Sequence, residues 1–313
     1  MRCKILLKIY RKGVKILTGG IEDFIPIKIT NSIIFSHLKH EVLGHKMFLD
    51  SRDSLNLSIN GVYEPFETEL VKKEIRKGDV VLDVGANIGY YTLIFAKLVG
   101  ENGKVFAFEP DPSNFALLKK NVEINGYKNI TLVQKAVSNK TGKTKLYLSD
   151  RNLGDHRIYD SHDGRRCIEI DAIRLDDYFK NYNGKIDFIK MDIQGAEGGA
   201  IQGMCSLLKK NKNVKIVTEF WPIGLKRFGI GPEEYVKLLI EHGFKLYEIN
   251  EQEKKICPAN IPKLLKAYTP ERGNYTNLLC VKEERLTSSH ISIRSQMMRA
   301  SMVSVSISSS TLR

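Results

Sequence analysis

The sequence lacks the cysteine pattern of a metal-binding or disulfide-stabilised protein. Its 313 residues include five cysteines, which are scattered and form no Cys-x-x-Cys pair and no Cys/His cluster. A structural zinc site, an iron–sulfur cluster and a disulfide framework are therefore not predicted. We expect reduced thiols in a cytoplasmic protein.

Long apolar runs are also missing, and acidic residues are absent from both ends of the chain. No apolar stretch reaches the roughly 18–20 residues that cross a bilayer, and lysines interrupt any signal-peptide core. Residues 1–20 hold six Lys or Arg, and residues 286–313 hold three Arg. Much of the net charge of +13 therefore lies at the ends, and the mildly basic remainder argues against a nucleic-acid partner.

The basic residues near the N-terminus recur at regular intervals. Its cations fall on one stripe at helical spacing, which predicts a basic amphipathic helix over residues 1–20. Such a helix either lies on an anionic membrane surface or packs on the protein body with its basic face in water, and both alternatives stay open. Residues 286–313 include ten serines and show no clear apolar period. They are predicted to be disordered. Residues 21–75 would form an N-terminal cap and residues 76–285 a single catalytic domain.

The most informative segment is a glycine-rich turn after a buried strand. Residues 80–82 are a continuous apolar run, typical of a parallel strand that is covered on both faces. Residues 83–89 read Asp-Val-Gly-Ala-Asn-Ile-Gly, and apolar residues then recur at helical spacing up to Gly100. Strand, turn and helix together place backbone amides at the carboxyl edge of a sheet, where open α/β folds bind nucleotide-like ligands.

The next strand predicts a nucleoside site at the same edge. Residues 105–108 end in Glu109, whose carboxylate can accept hydrogen bonds from both hydroxyls of a ribose. Asp111 and Pro112 begin the following helix. Asn87 replaces the middle glycine of the dinucleotide fingerprint, which favours a methyl donor over nicotinamide. The predicted cofactor-binding residues are Asp83, which would order the turn, Gly85, Ala86, Asn87, Gly89, Glu109, Pro110, Ala136 near the adenine, and Asp192.

Several motifs in combination resemble the FkbM family of S-adenosylmethionine-dependent methyltransferases, over about residues 45–250. They are found at residues 61–68, 85–92, 108–110, 170–176 and 190–197. One departure is Gln194, which stands where the family often has an acidic residue. The chain also lacks the Asp/Asn-Pro-Pro-aromatic motif that many base-modifying methyltransferases carry.

This resemblance implies a fold, a cofactor and a reaction. The fold is the α/β class I methyltransferase fold, a doubly wound, mostly parallel sheet of seven strands in the order 3-2-1-4-5-7-6, with the last strand antiparallel. The cofactor is S-adenosylmethionine. The reaction is methylation of a hydroxyl on a sugar, a glycan or a polyketide-type metabolite. The partner is thus a small-molecule or glycan acceptor.

Deprotonation of a hydroxyl calls for a general base, and three residues are candidates. Asp192 ends the strand predicted at residues 186–191, beside the glycine turn, although it would equally suit a helix cap or the ammonium of the methyl donor. Glu219 lies near the end of the strand at residues 214–220. His156 lies in a polar loop between two extended runs, at residues 143–149 and 167–170, that we interpret as a β-hairpin or added strands.

Two charged neighbours of Asp192 have structural interpretations. Lys190 can form an ion pair with Glu197, and Glu197 suits the first turn of a helix. Asp192 and Glu219 alone are too few ligands to predict a metal site. Two other functions stay open at this point, a nicotinamide-dependent oxidoreductase and a non-catalytic nucleoside-binding module.

Overall fold

Strands and helices alternate through most of the chain in a computed structural model that describes residues 6–10, 13–18, 21–26 and 39–282. The strands, in chain order, are β1 (Leu6–Tyr10), β2 (Gly13–Thr18), β3 (Ile21–Pro26), β4 (Lys39–Val42), β5 (His45–Phe48), β6 (Val80–Val84), β7 (Lys104–Phe108), β8 (Ile130–Val133), β9 (Ala136–Val137), β10 (Gly142–Tyr147), β11 (Cys167–Ile173), β12 (Phe188–Met191), β13 (Lys215–Phe220), β14 (Phe244–Asn250), β15 (Lys255–Pro258) and β16 (Thr276–Lys282). The helices are α1 (Leu57–Asn60), α2 (Pro65–Glu74), α3 (Tyr90–Val99), α4 (Pro112–Asn125), α5 (Leu175–Tyr178), α6 (Glu197–Gln202), α7 (Cys205–Lys210), α8 (Pro222–Phe228), α9 (Pro232–Glu241) and α10 (Ile261–Ala267).

The central sheet has the predicted strand order. Its strands are arranged β15-β14-β16-β13-β12-β6-β7-β8, and the five from β13 to β8 are parallel. Strand β16 lies between β13 and β14 and is antiparallel to both. Without β15 this is the order 3-2-1-4-5-7-6 with an antiparallel last strand, so the fold class is confirmed.

One strand of this sheet was not predicted. Strand β15 pairs antiparallel with the outer edge of β14, so the sheet has eight strands rather than seven. Its sequence, Lys-Ile-Cys-Pro, is short and mostly exposed. Because no apolar alternation marks it, the hydrophobic pattern gave no signal for it.

Both faces of the sheet are buried, as the apolar strand sequences predicted. Val81 belongs to a core on one face, with residues of α2 and α3. Its neighbour Leu82 belongs to a core on the other face, with residues of α6, α7 and α9. Successive strand residues point to opposite faces, so helices on both sides are needed to cover them. This layering leaves the carboxyl edge of β6, β7, β12 and β13 free to form a site.

The predicted hairpin between the third and fourth parallel strands is confirmed. Strands β10 and β11 pair antiparallel, and the short β9 joins β11 in parallel, which makes a separate three-stranded sheet. The loop between β10 and β11 carries His156. This insert therefore brings that residue to the carboxyl edge of the central sheet.

The predicted N-terminal helix is wrong. Strands β1, β2 and β3 form an antiparallel sheet, in which Tyr10 pairs with Gly13 and Thr18 with Ile21. In the sequence, Gly-Gly at positions 19–20 is a hairpin signal that the helix prediction passed over. The helical spacing of the basic residues favoured the helix prediction instead. The hypothesis of membrane contact depended on this helix.

The predicted tail, residues 286–313, lies outside the described residues. Within the described part of the chain, no helix combines the length and the apolar character that crossing a membrane requires.

Candidate functional site

The glycine turn between β6 and α3 packs directly against the end of β12. Gly85 has a φ of +86°, and its amide donates to the carbonyl of Phe108 at 3.0 Å. A Cβ atom at this position would lie 2.0 Å from the carbonyl oxygen of Asp192. Only glycine therefore allows this backbone conformation and this approach. The turn and Asp192 are consequently held side by side at one edge of the sheet.

Glu109, at the end of β7, accepts a hydrogen bond from the backbone of the glycine turn. The amide of Asn87 donates to its Oε2 at 2.8 Å, and the amide of Asp111 donates to its Oε1 at 2.9 Å. Burial raises the pKa of Glu109 to about 8, although both amide bonds act to lower it. Each carboxylate oxygen keeps further acceptor capacity, as a pair of ribose hydroxyls requires.

A cleft of about 530 Å³, including its open mouth, runs past these groups. Its walls include six of the predicted cofactor-binding residues, namely Gly85, Asn87, Glu109, Pro110, Ala136 and Asp192. The other three predicted cofactor-binding residues do not line the cleft; they are Asp83, Ala86 and Gly89. Asp83 accepts a hydrogen bond from the hydroxyl of Thr92 at 2.5 Å, and burial raises its pKa to about 6. It therefore ties β6 to the first turn of α3.

Three carboxylates converge beside the cleft. Asp192 follows β12, Glu219 lies in β13 and Glu197 opens α6, and one oxygen from each lies within 4.8 Å of the others. The side chain of Asp192 is 26% exposed, whereas Glu197 is fully buried and Glu219 is 7% exposed. Asp192 and Glu219 were predicted as alternative general bases, and the structure brings them close together. Glu197 was interpreted as a helix-terminal residue and as an ion-pair partner of Lys190, not as a member of this group.

Lys190 is buried on the other side of Asp192. Its Nζ lies 3.2 Å from Oε1 of Glu67 in α2 and 3.9 Å from Oδ2 of Asp192. The predicted pairing with Glu197 is wrong, because Glu67 takes that role from a segment far away in the sequence. Burial alone would lower the pKa of Lys190, but the carboxylates of Glu67, Asp192 and Glu64 together raise it above its usual range.

The segment before α2 contributes acidic residues that the sequence analysis did not assign to the site. Burial, and then the nearby carboxylate of Glu67, raise the pKa of Glu64 well above its usual value. The amide side chain of Asn277 donates to Glu64 at 3.3 Å. Burial and the charge of Asp192 raise the pKa of Glu219 in the same way. Together these residues form an acidic cluster beside Lys190, defined here as Glu64, Glu67, Asp192, Glu197 and Glu219. The one sequence signal was the i, i+3 spacing of Glu64 and Glu67.

His156 lines the cleft but has its polar contacts away from Asp192 and Glu219, the other two candidates for the general base. Its Nδ1 accepts a hydrogen bond from the amide of Ser149 at 3.0 Å, and its Nε2 lies 4.0 Å from Oδ2 of Asp111. Burial lowers the pKa of the imidazole. With Nδ1 occupied by an amide proton, the neutral ring carries its own proton on Nε2. This geometry places His156 at the Glu109 end of the cleft and does not suit a general base.

Comparisons with known proteins identify the family. The family described as "Methyltransferase FkbM domain" matches residues 83–253, just over half of the chain. The 2-O-methyltransferase NoeI of Sinorhizobium fredii is 27% identical over 192 residues, which cover 54% of this chain and 77% of that protein. The match to a protein-L-isoaspartate O-methyltransferase of Methanococcoides burtonii is 40% identical over 60 residues, 19% of this chain and 30% of that one.

Other matches are more distant or shorter. Methyltransferase 1 of Beauveria bassiana is 23% identical over 144 residues, which cover 40% of this chain and 57% of that protein. The chain therefore spans less than two thirds of several curated relatives. A crystal structure of a methyltransferase FkbM from Methylobacillus flagellatus aligns over 72% of this chain and 52% of its own, with 17% identity and a TM-score of 0.39. The family match and the cleft agree: the chain belongs to the FkbM family of S-adenosylmethionine-dependent methyltransferases.

Proposed function

We propose that the protein methylates a hydroxyl group of a sugar, a glycan or a polyketide-type metabolite. The observation that carries the proposal is the position of Asp192, which lines the same cleft as Glu109 and the glycine turn. A candidate proton acceptor and a candidate ribose-binding carboxylate thus line one cleft. The printed name of the relative NoeI, a 2-O-methyltransferase, supports transfer to oxygen. Family membership argues against the nicotinamide alternative.

The residues of the cleft fit the cofactor. Glu109 would hold the ribose hydroxyls, and Ala136 lies in the wall where an adenine would pack. A Cβ at Gly85 would collide with the carbonyl oxygen of Asp192, so glycine is what lets the turn lie directly against Asp192 in the cleft wall. When bound, S-adenosylmethionine supplies an electrophilic methyl group on a sulfonium. The protein's own contribution is to bind, to orient and to exclude water.

Asp192 is the residue we propose as the general base. Its side chain is partly exposed to the cleft, whereas Glu219 is buried behind it. Its Oδ1 accepts a hydrogen bond from the side-chain amide of Gln194 at 2.9 Å, which orients the carboxylate. Gln194 thus serves the site although an acidic residue is frequent there. A carboxylate held at near-attack geometry can remove the hydroxyl proton as the oxygen attacks, worth about 10²–10⁴-fold in rate.

A methyl-transfer assay with a panel of acceptors tests this proposal. Purified protein is incubated with isotope-labelled S-adenosylmethionine and with monosaccharides, oligosaccharides or hydroxylated polyketides, and NMR locates the label. We expect a new O-methyl group, and Asp192→Asn should lower turnover about 10²-fold or more with little change in cofactor affinity. The matched control is Asp160→Asn, an exposed residue of the β10–β11 loop. A label on nitrogen, or full activity of Asp192→Asn, would contradict the proposal. Cofactor binding without transfer to any acceptor would favour the non-catalytic module.

A further inference from the structure

The acidic cluster has more carboxyl groups than the neighbouring cation can balance when they are ionised. Lys190 is the ammonium in contact with it, and its nearest partner is Glu67 at 3.2 Å. Among the residues that the structure describes, neither Glu197 nor Glu219 has an ion-pair partner within 4.0 Å. Buried carboxylates without a partner cost several kcal/mol each unless a proton or a cation neutralises them.

Two of the three converging carboxylates also have an unsatisfied oxygen. Glu197 accepts the amide of Ile193 through Oε1 at 2.9 Å, but its Oε2 is buried without a hydrogen-bond partner. The Oε2 atom of Glu219 is equally buried and without a partner. Glu197 is fully buried and Glu219 is more than nine-tenths buried. Because buried polar atoms are almost always satisfied, two orphan oxygens among these three converging carboxylates indicate a ligand that belongs there.

We propose that Asp192, Glu197 and Glu219 bind a divalent cation that prefers oxygen ligands, of the Mg²⁺, Mn²⁺ or Ca²⁺ type. Three carboxylates and no sulfur or imidazole form the donor set that such hard cations select. Their oxygens lie within 4.8 Å of one another. Ligands on opposite sides of Ca²⁺ are about 4.6–5.2 Å apart and those of Mg²⁺ about 4.0–4.2 Å, so small side-chain movements suffice for either ion.

The position of the site gives the cation a function, which rests on the proposed hydroxyl methylation. Three protein ligands leave several coordination positions open, and the partly exposed Asp192 faces the cleft. A hydroxyl oxygen of the acceptor, or two neighbouring hydroxyls of a sugar, can take these positions. The cation would then lower the pKa of the bound hydroxyl and fix the oxygen for attack. Each carboxylate needs to offer only one oxygen, so the second oxygen of Asp192 stays available for the proton.

Binding of Mn²⁺ to the full-length, EDTA-treated protein tests the site without any acceptor. The free Mn²⁺ signal in electron paramagnetic resonance should fall with a stoichiometry of one ion per chain. Glu197→Gln and Glu219→Gln should each weaken binding at least about tenfold, as loss of a charged ligand implies. Glu233→Gln, an exposed residue of α9, is the control and should bind like the wild type. Mg²⁺ and Ca²⁺ should displace the bound Mn²⁺.

Several outcomes separate this inference from the proposed function. Absence of stoichiometric binding, or binding that both variants leave unchanged, would overturn the cation site even if the protein methylates hydroxyl groups. Stoichiometric binding that both variants weaken would support the site even if no hydroxyl is methylated. If the two buried substitutions prevent folding, as seen by thermal unfolding, Asp192→Asn gives the same test from a partly exposed position. Unchanged Mn²⁺ affinity in that folded variant would also overturn the proposal.

Discussion

Lys190 and Glu67 form a buried ion pair between the centre of the sheet and helix α2. Their side chains are 2% and 1% exposed, and the distance from Nζ to Oε1 is 3.2 Å. The lysine also lies 5.2 Å from the centre of the Tyr91 ring. The pair and the ring therefore bring β12, α2 and α3 into contact beside the acidic cluster.

Removing one partner of this pair should be far more costly than breaking an exposed pair. We expect Lys190→Met to lower the free energy of unfolding by about 3–5 kcal/mol, because it leaves buried carboxylates uncompensated. The control is Lys72→Met, whose ion pair with Glu69 at 2.8 Å is largely exposed and should contribute about 0–1 kcal/mol. Urea denaturation measures both. Equal losses of unfolding free energy in the two variants would show that the buried pair does not stabilise the packing of α2 on the sheet.

Glu109 should contribute directly to binding of the methyl donor. In Glu109→Ala the ribose hydroxyls lose their acceptor, and we expect S-adenosylmethionine to bind more weakly by about 1–3 kcal/mol. Isothermal titration calorimetry measures the change. Glu101→Ala, an exposed residue before β7, removes the same charge outside the cleft and should leave the affinity unchanged. Equal affinity of Glu109→Ala and wild type would place the ribose elsewhere.

The features that could be predicted from the sequence are those that local patterns determine. Strands β6 and β7 were predicted to within two residues of their observed bounds, because their continuous apolar runs end at Asp or Glu. Glu109 and Asp192 were found because strand ends at one sheet edge must meet. The pairing of Lys190 with Glu67 could not be predicted, since it joins residues that are distant in the chain and depends on how α2 packs.

The orientation of side chains in loops and at helix termini also could not be predicted from the sequence. His156 was correctly placed near the cleft, but only the contact of its Nδ1 with the amide of Ser149 decides which way the ring faces. Glu197 has a favourable position at a helix N-terminus. Because this local explanation was sufficient, nothing in the sequence indicated that Glu197 lies close to Glu219. A residue that satisfies one local rule can therefore also belong to a site.

The raised pKa of Glu109 predicts a pH dependence for cofactor binding. Its pKa is about 8 in the folded protein because of burial. The ionised carboxylate is the better acceptor for two hydroxyl donors, so affinity for S-adenosylmethionine should rise as the pH increases through about 8. Calorimetry between about pH 6.5 and 9 measures it, and Glu109→Gln should lose this dependence. A profile shared by wild type and Glu109→Gln would assign the titration to another group.

The same shift has the opposite consequence for stability. The unfolded state releases this proton near the ordinary pKa of a glutamate carboxyl, 4.5, whereas the folded state retains it up to about pH 8. Between these two pH values the unfolded state binds fewer protons, so the contribution of Glu109 to stability falls as the pH rises. Unfolding free energies of wild type and Glu109→Gln should therefore differ increasingly from about pH 4.5 to 8. A constant difference would contradict the raised pKa.

Two glycines with similar backbone angles separate conformational strain from steric contact. Gly126 has a φ of +73° with no atom within 4 Å of a substituted Cβ, so Gly126→Ala should cost only the left-handed strain of about 1–2 kcal/mol. Gly85→Ala adds a contact of 2.0 Å with the carbonyl of Asp192. It should cost clearly more in thermal or urea unfolding, and it should abolish S-adenosylmethionine binding because the turn must move away from β12. If Gly85→Ala binds the cofactor normally, the close approach of the turn to Asp192 is not needed to form the site.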